Sequence, residues 1–201
     1  MQFIKSGLIV LLCSVVLATG ITGCSEKNSA RKFNAIDITG ADFGKDFKLT
    51  DHNGKPRTLA DFKGNAVVIF FGYTNCPDVC PTTMSDLNQA MKLLGNEASR
   101  VKVLFVTVDP ERDTPALLAK YVPAFNPAFL GLYGDAATTA KTAKDFRIFY
   151  QKNKPDSNGN YSVDHSAGTY VFDPDGKLRL FMKYGEGAES IAHDLRELLH
   201  A

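Results

Sequence analysis

Apolar and polar positions change rhythm several times along the chain. Gly7 to Ala18 is an almost unbroken apolar run preceded by Lys5. A run of about a dozen residues is short for a bilayer span, which takes roughly 20, and suits the apolar stretch of a secretory signal. Ser25 to Lys32 is polar and reads as a flexible tether, with a random-coil reach of roughly 15 Å. From Phe33 onward, strand and helix periods alternate. Phe47 to Thr50 alternates apolar and polar, and Asp51-His52-Asn53-Gly54 follows as a hairpin turn. Ala66 to Tyr73 is continuously apolar and rich in β-formers, as in a strand buried on both faces. Met84, Leu87, Met91 and Leu94 recur at helical spacing. Val101 to Val108 repeats the buried-strand pattern. Thr114-Pro115 opens a helix carrying Leu117, Leu118 and Tyr121, and Ala136 to Phe146 is another helical stretch. Gly168 to Phe172 and Leu178 to Met182 flank a turn at Asp173 to Gly176. Ile191, Leu195 and Leu198 form one stripe on a last helix.

Helices between buried strands imply right-handed crossovers and a parallel centre, with an antiparallel hairpin completing one side. The expected fold is therefore α/β and thioredoxin-like: a central mixed sheet with flanking helices and an N-terminal hairpin. No internal repeat interrupts it. Three regions follow: a signal peptide at 1–23, Cys24 with its tether at 24–32, and one domain at 33–201. Ile21-Thr22-Gly23-Cys24 resembles a bacterial lipobox, in which Cys24 becomes lipidated, so the protein is expected at a bacterial membrane, lipid-anchored on the extracytoplasmic, periplasmic face. A plain signal peptide with an incidental cysteine is the alternative.

Composition changes little in this picture. With 201 residues, 44% hydrophobic and 22% charged, the chain can bury roughly 70% of its unfolded surface without a disulfide or metal to fold it. Removing residues 1–23 takes away Lys5 alone, leaving 22 basic residues against 22 acidic ones. There is no basic run, and the aromatic residues sit in apolar segments, so nucleic acid is not an expected partner.

The chemistry lies in Thr74-Asn75-Cys76-Pro77-Asp78-Val79-Cys80-Pro81. Cys13 falls in the signal, so Cys76 and Cys80 are the free thiols of the domain. Proline is tolerated only in the first turn of a helix, so the helix starts near Cys80-Pro81 and Cys76 precedes it. Both sulfurs then lie at a helix N-terminus, which favours thiolates. Their spacing suits a disulfide, whose Cα atoms stand about 4.4–6.8 Å apart, and equally a two-thiolate clamp. A purely stabilising disulfide would close so small a loop that it would contribute little. With one imidazole, two sulfurs make a trigonal donor set suited to copper; zinc calls for four ligands. Of four histidines, His52 sits in a turn and is read as a surface residue, and His193 and His200 as solvated positions on the last helix. His165, just before the strand Gly168 to Phe172, is brought beside the cysteine loop by a thioredoxin-like layout. Met84, Met91 and Met182 are read as core residues.

At these residues the chain resembles the Sco/SenC family of membrane-tethered copper proteins of cytochrome c oxidase assembly. The resemblance rests on Phe70 to Pro81, on Val106-Thr107-Val108-Asp109-Pro110-Glu111-Arg112-Asp113-Thr114-Pro115, and on Asp164-His165-Ser166 ahead of Tyr170 to Pro174. It implies that Cys76, Cys80 and His165 bind one copper ion, as Cu(I) or Cu(II). It further implies partners in the copper-bearing subunit of cytochrome c oxidase or another copper chaperone, and in a thiol reductant protein. Asp164 is a candidate to orient the imidazole and equally a surface carboxylate, and Asp109 a candidate outer acceptor or part of a partner surface. Asp113 or Thr114 caps the helix that follows, Thr114 being favoured.

Three functions compete. A metallochaperone would pass copper to an acceptor by ligand exchange. A thiol–disulfide oxidoreductase would use Cys76 to attack and Cys80 to resolve, though it would ordinarily separate its cysteines by two residues rather than three. A peroxidase would place threonine three positions before its cysteine, whereas Thr74 stands two before Cys76.

Overall fold

The computed structural model describes residues 33–201; the expected signal peptide, Cys24 and the tether lie outside the described residues. The two apolar runs become β4 (Ala66–Gly72) and β5 (Val101–Thr107), which pair in parallel from Ala66 opposite Val101 to Gly72 opposite Thr107. Every residue of β4 is buried, as a strand covered on both faces must be. Helix α1 (Val79–Leu94) connects them, and α2 (Pro115–Phe125) crosses from β5 to β6 (Leu130–Tyr133), also parallel.

Antiparallel strands flank this parallel centre. On one side β9 (Thr169–Phe172) pairs with β4, β10 (Leu178–Met182) with β9, and the short β1 (Ile36–Asp37) with β10. On the other, β2 (Leu49–Asp51) pairs with β6 and with β3 (Pro56–Arg57), forming the N-terminal hairpin. The eight strands run β1-β10-β9-β4-β5-β6-β2-β3, and β7 (Tyr150–Lys152) with β8 (Val163–His165) makes a separate two-stranded sheet. With α3 (Ala136–Asp145) and α4 (Ala188–Leu199), this is the thioredoxin-like architecture.

The helices form for the reasons their patterns gave. Thr114 caps α2 by accepting from the Leu117 N–H, with Pro115 in the first turn. The stripe Ile191, Leu195 and Leu198 of α4 is buried, each side chain contributing about 1.5–3 kcal/mol of apolar burial. Met84, Met91 and Met182 are core residues. Leu117, by contrast, points outward while Leu118 is fully buried: only one of two adjacent leucines can face the core of a helix. Among the described residues no helix is long and apolar enough to cross a membrane.

Candidate metal centre

Strand β4 ends at Gly72, and the chain turns through Thr74 to Asp78 into α1. The turn closes where the Cys76 N–H donates to the Tyr73 carbonyl at 3.2 Å. Asp78 is the N-cap, which puts Cys80 second and Pro81 third in the helix, in the first turn where proline costs no hydrogen bond. The first N–H groups of a helix lack intrahelical partners. That of Cys80 points at the Cys76 sulfur, 3.4 Å away.

The two thiols differ. Cys76 is half-buried and Cys80 wholly buried, and neither is in a disulfide. Burial, reinforced by the neighbouring Cys76 and the negative charge of Asp113, pushes the Cys80 thiol well above the ordinary cysteine range. At Cys80 loss of water therefore works against the thiolate that a helix N-terminus favours.

The third donor arrives from β8. His165 is half-buried at the strand's end, opposite Tyr150 of β7. Its Nε2 stands 3.5 Å from the Cys80 sulfur. Its ring packs edge-on against Phe70 and Tyr73, with centroids 6.1 and 5.8 Å apart. Nδ1 lies 2.9 Å from the Ser166 carbonyl, so Nδ1 carries the proton and donates, leaving the Nε2 lone pair free. Burial also lowers the His165 pKa, favouring the neutral imidazole that ligates metals. The Cys76 and Cys80 sulfurs and one His165 nitrogen all lie within 4.8 Å of one another.

The outer candidates have hydrogen-bond partners of their own. Asp164 does not hydrogen-bond the imidazole; its carboxylate accepts from Asn153 at 3.0 Å, and the Ser166 carbonyl holds His165 instead. Adjacent residues of a strand point to opposite faces, which separates the two side chains. Asp109 is buried and accepts from Arg112 and from the Tyr161 hydroxyl, the latter at 2.9 Å. Asp113 is not a cap. It is buried and accepts from the Thr74 N–H at 3.0 Å, the Thr74 hydroxyl at 2.6 Å and the Thr107 hydroxyl at 2.6 Å, tying the cysteine loop to the end of β5. His52, read as a surface residue, is half-buried and accepts from the Gly131 N–H at 3.0 Å.

A further residue at the site is Gly72. A Cβ there would stand 2.9 Å from both the Cys80 sulfur and the Phe70 ring and 3.0 Å from Phe105, so glycine makes the space the sulfur occupies. A lone glycine inside an apolar strand is the sequence signal of such an approach.

A thioredoxin-like sheet with two thiols at its first crossover helix and an imidazole from a facing hairpin defines a class of dithiol–imidazole proteins. Within it, this chain belongs to the SCO1/SenC family, whose model matches residues 37–200. It is 36% identical over 200 residues to the mitochondrial SCO2 homolog of Bos taurus, a match covering 95% of this chain and 75% of that one. The matches to the Mus musculus, Homo sapiens and Danio rerio SCO2 homologs span 62%, 59% and 50% of those proteins. Among solved structures, Bradyrhizobium japonicum ScoI with copper bound is 40% identical with a TM-score of 0.72, covering 78% of this chain and 99% of that one. A SCO1/SenC family lipoprotein from Bacillus anthracis is 28% identical with a TM-score of 0.65, over 76% and 92%.

Proposed function

We propose that this protein holds one copper ion between Cys76, Cys80 and His165 and delivers it to the copper centre of cytochrome c oxidase. The observation that carries the reading is the convergence of three donors, from two distant parts of the chain, within 4.8 Å. Metal–donor bonds of about 2.0–2.3 Å set the donors of a three-coordinate ion roughly 3.5–4 Å apart, the scale of the 3.5 Å between Cys80 and His165. Two soft sulfurs and one imidazole select copper over magnesium, calcium or manganese. The B. japonicum relative, solved with copper bound, supports the same choice.

The half-buried Cys76 suits release. An acceptor thiolate can attack an ion held by three ligands at the sheet edge, replacing the protein's donors one at a time. Binding Cu(I) expels the thiol protons, so the disulfide form, which has no thiolates to offer, should not bind it. Burial that raises the Cys80 pKa opposes a free thiolate, and the metal's charge is what offsets it.

The same reading places the protein on a membrane. Ile21-Thr22-Gly23-Cys24 supplies a lipidation site at Cys24, and the B. anthracis relative is described as a lipoprotein. Incorporation of labelled palmitate into the wild type but not Cys24→Ala tests it.

An anaerobic Cu(I) titration against a chromophoric chelator, comparing the wild type with Cys76→Ser, Cys80→Ser and His165→Ala, tests the centre. Tight one-to-one binding weakened in all three variants is expected. A second reading, reduction of partner thiols, is favoured by the contrast between an accessible Cys76 and a buried Cys80, the arrangement of an attacking and a resolving thiol. If His165→Ala leaves copper affinity untouched while disulfide reduction persists, this second reading replaces the first.

A further inference from the structure

The histidine limb is weakly built in itself. Strands β7 and β8 share three residue pairs, Tyr150–His165, Gln151–Asp164 and Lys152–Val163, and form no part of the main sheet. An isolated two-stranded hairpin is marginally stable in water, yet it must hold Nε2 of His165 in register with two sulfurs on another element. Something outside the hairpin has to fix it.

Val163 anchors one side of the hairpin in the core; the polar contact comes from the segment Asp109 to Asp113, between β5 and α2. The Arg112 guanidinium lies 3.5 Å from the centroid of the Tyr161 ring and 5.7 Å from that of Tyr73. Its Nη1 donates to the Tyr161 carbonyl at 2.7 Å and its Nε to Asp109, whose other oxygen accepts from the Tyr161 hydroxyl. Nη2 is buried with no hydrogen-bond partner, so the Nε and Nη1 hydrogen bonds and the Tyr161 ring define where the guanidinium sits. Tyr161 stands four residues before His165. Tyr73, on the other side of Arg112, packs edge-on against the His165 ring. Across the same gap Lys152 of β7 pairs with Glu111 at 2.6 Å. At its far end the segment grips the other limb, because Asp113 holds Thr74, two residues before Cys76.

We propose that the Asp109–Asp113 segment is a bracket joining the cysteine limb to the histidine limb, with Arg112 the positioning residue that sets His165 against the sulfurs. The role is exercised on copper, so it rests on the function proposed above. Arginine is required because its planar fork donates to Asp109 and to the Tyr161 carbonyl at once while its face lies over the Tyr161 ring; lysine offers a point charge without that fixed planar geometry.

A double-mutant cycle separates this role from general support of the fold. Cu(I) affinity is measured by chelator competition for the wild type, Arg112→Ala, His165→Ala and the double variant. Arg112→Ala should weaken binding by about 10–100-fold, the cost of losing an outer-shell partner, and by less than twofold once His165 is already gone. Equal losses in both backgrounds, or no loss in either, overturn the proposal. The Cu(II) complex of Arg112→Ala should also lose imidazole-nitrogen coupling in its electron paramagnetic resonance spectrum. Should Arg112→Ala fail to fold, Arg112→Lys and Tyr161→Phe carry the same comparison, with milder losses that again vanish without His165.

Amide exchange on the metal-free protein gives an independent arm. Arg112→Ala should speed exchange in residues 150–165 while the β4 amides keep their protection, and unchanged rates in 150–165 overturn the bracket. A wild type that binds no copper, or a His165→Ala variant that binds as the wild type does, removes the copper reading itself. The exchange result then still decides whether the hairpin is held by Arg112.

Discussion

The Nδ1 atom of His165 lies 2.9 Å from the carbonyl oxygen of Ser166, the next residue along the chain. A carbonyl can only accept, so this contact fixes the proton on Nδ1 and turns the Nε2 lone pair toward Cys80. Backbone, not a carboxylate, thus sets the tautomer. Asp164→Asn should consequently leave Cu(I) affinity within about threefold of the wild type, well inside the roughly 10–100-fold cost of losing an orienting partner. His165→Ala should cost more than that range. Chelator competition on both variants checks the pair; a large loss in Asp164→Asn would show that the carboxylate orients the ring after all.

The two thiols should be chemically distinct. Cys76 is half-buried, whereas Cys80 is fully buried and burial disfavours its thiolate. Only the thiolate alkylates, so iodoacetamide at neutral pH should label Cys76 in the folded, reduced, metal-free protein and leave Cys80 to react on unfolding. Mass spectrometry of timed samples reads this directly. Equal labelling rates would mean that the loop opens faster than the reagent attacks.

The cysteine limb was legible in the sequence because everything that builds it is local. A buried apolar strand, a loop with two prolines and a helical stripe follow one another within residues 66–94, and each announces itself by period or breaker. The histidine limb was legible only in part. Tyr150-Gln151-Lys152 and Val163-Asp164-His165 are three-residue strands defined by pairing with each other, too short to show a period. Likewise β6 is Leu-Gly-Leu-Tyr, and β1 is two exposed residues. Thr114 caps α2 as favoured, but what Asp113 does instead was hidden for a different reason. An aspartate before Thr-Pro has the look of a helix cap, while its actual partner, Thr74, lies 39 positions away. His52 was misread because an Asp-His-Asn-Gly turn signals exposure, and nothing local reveals that β6 will present the Gly131 N–H to it.

Gly72 should be a determinant of the metal centre. Added to this strand, a methyl group meets the Cys80 sulfur and two core rings at 2.9–3.0 Å, closer than real Cβ contacts come. None of these neighbours is the free end of a flexible chain, so the strand or the sulfur has to move. Gly72→Ala should destabilise the protein by about 1–3 kcal/mol, the usual cost of overpacking, and weaken Cu(I) binding by displacing Cys80. Urea unfolding and chelator competition measure the two effects. Gly176→Ala is the comparison: a Cβ there meets nothing within 4 Å, though its φ of +80° strains any side chain. It should lower stability and leave copper affinity unchanged. A Gly72→Ala protein with wild-type affinity would mean that the sulfur's position is not set by this strand.

His52 predicts how stability depends on pH. Its Nδ1 accepts the Gly131 N–H at 3.0 Å, linking the turn after β2 to β6, and it can do so only while that nitrogen is unprotonated. Burial lowers its pKa, with the charge of Asp51 opposing. In the unfolded chain the ring titrates near its ordinary 6.5. Above that pH both states are neutral and the link contributes fully. As pH falls below 6.5 the unfolded chain takes up a proton that the folded one resists, and stability is lost at up to about 1.4 kcal/mol per pH unit until the folded-state pKa is passed. His165, also lowered by burial, has the same sign, so the wild-type slope alone does not isolate His52. His52→Asn does, because the amide oxygen can accept the Gly131 N–H without titrating. Urea unfolding at pH 7.5 and 5.5 should show the variant gaining on the wild type at the lower pH. A stability difference that stays constant between the two would place the titration elsewhere and leave the Gly131 contact without a role in it.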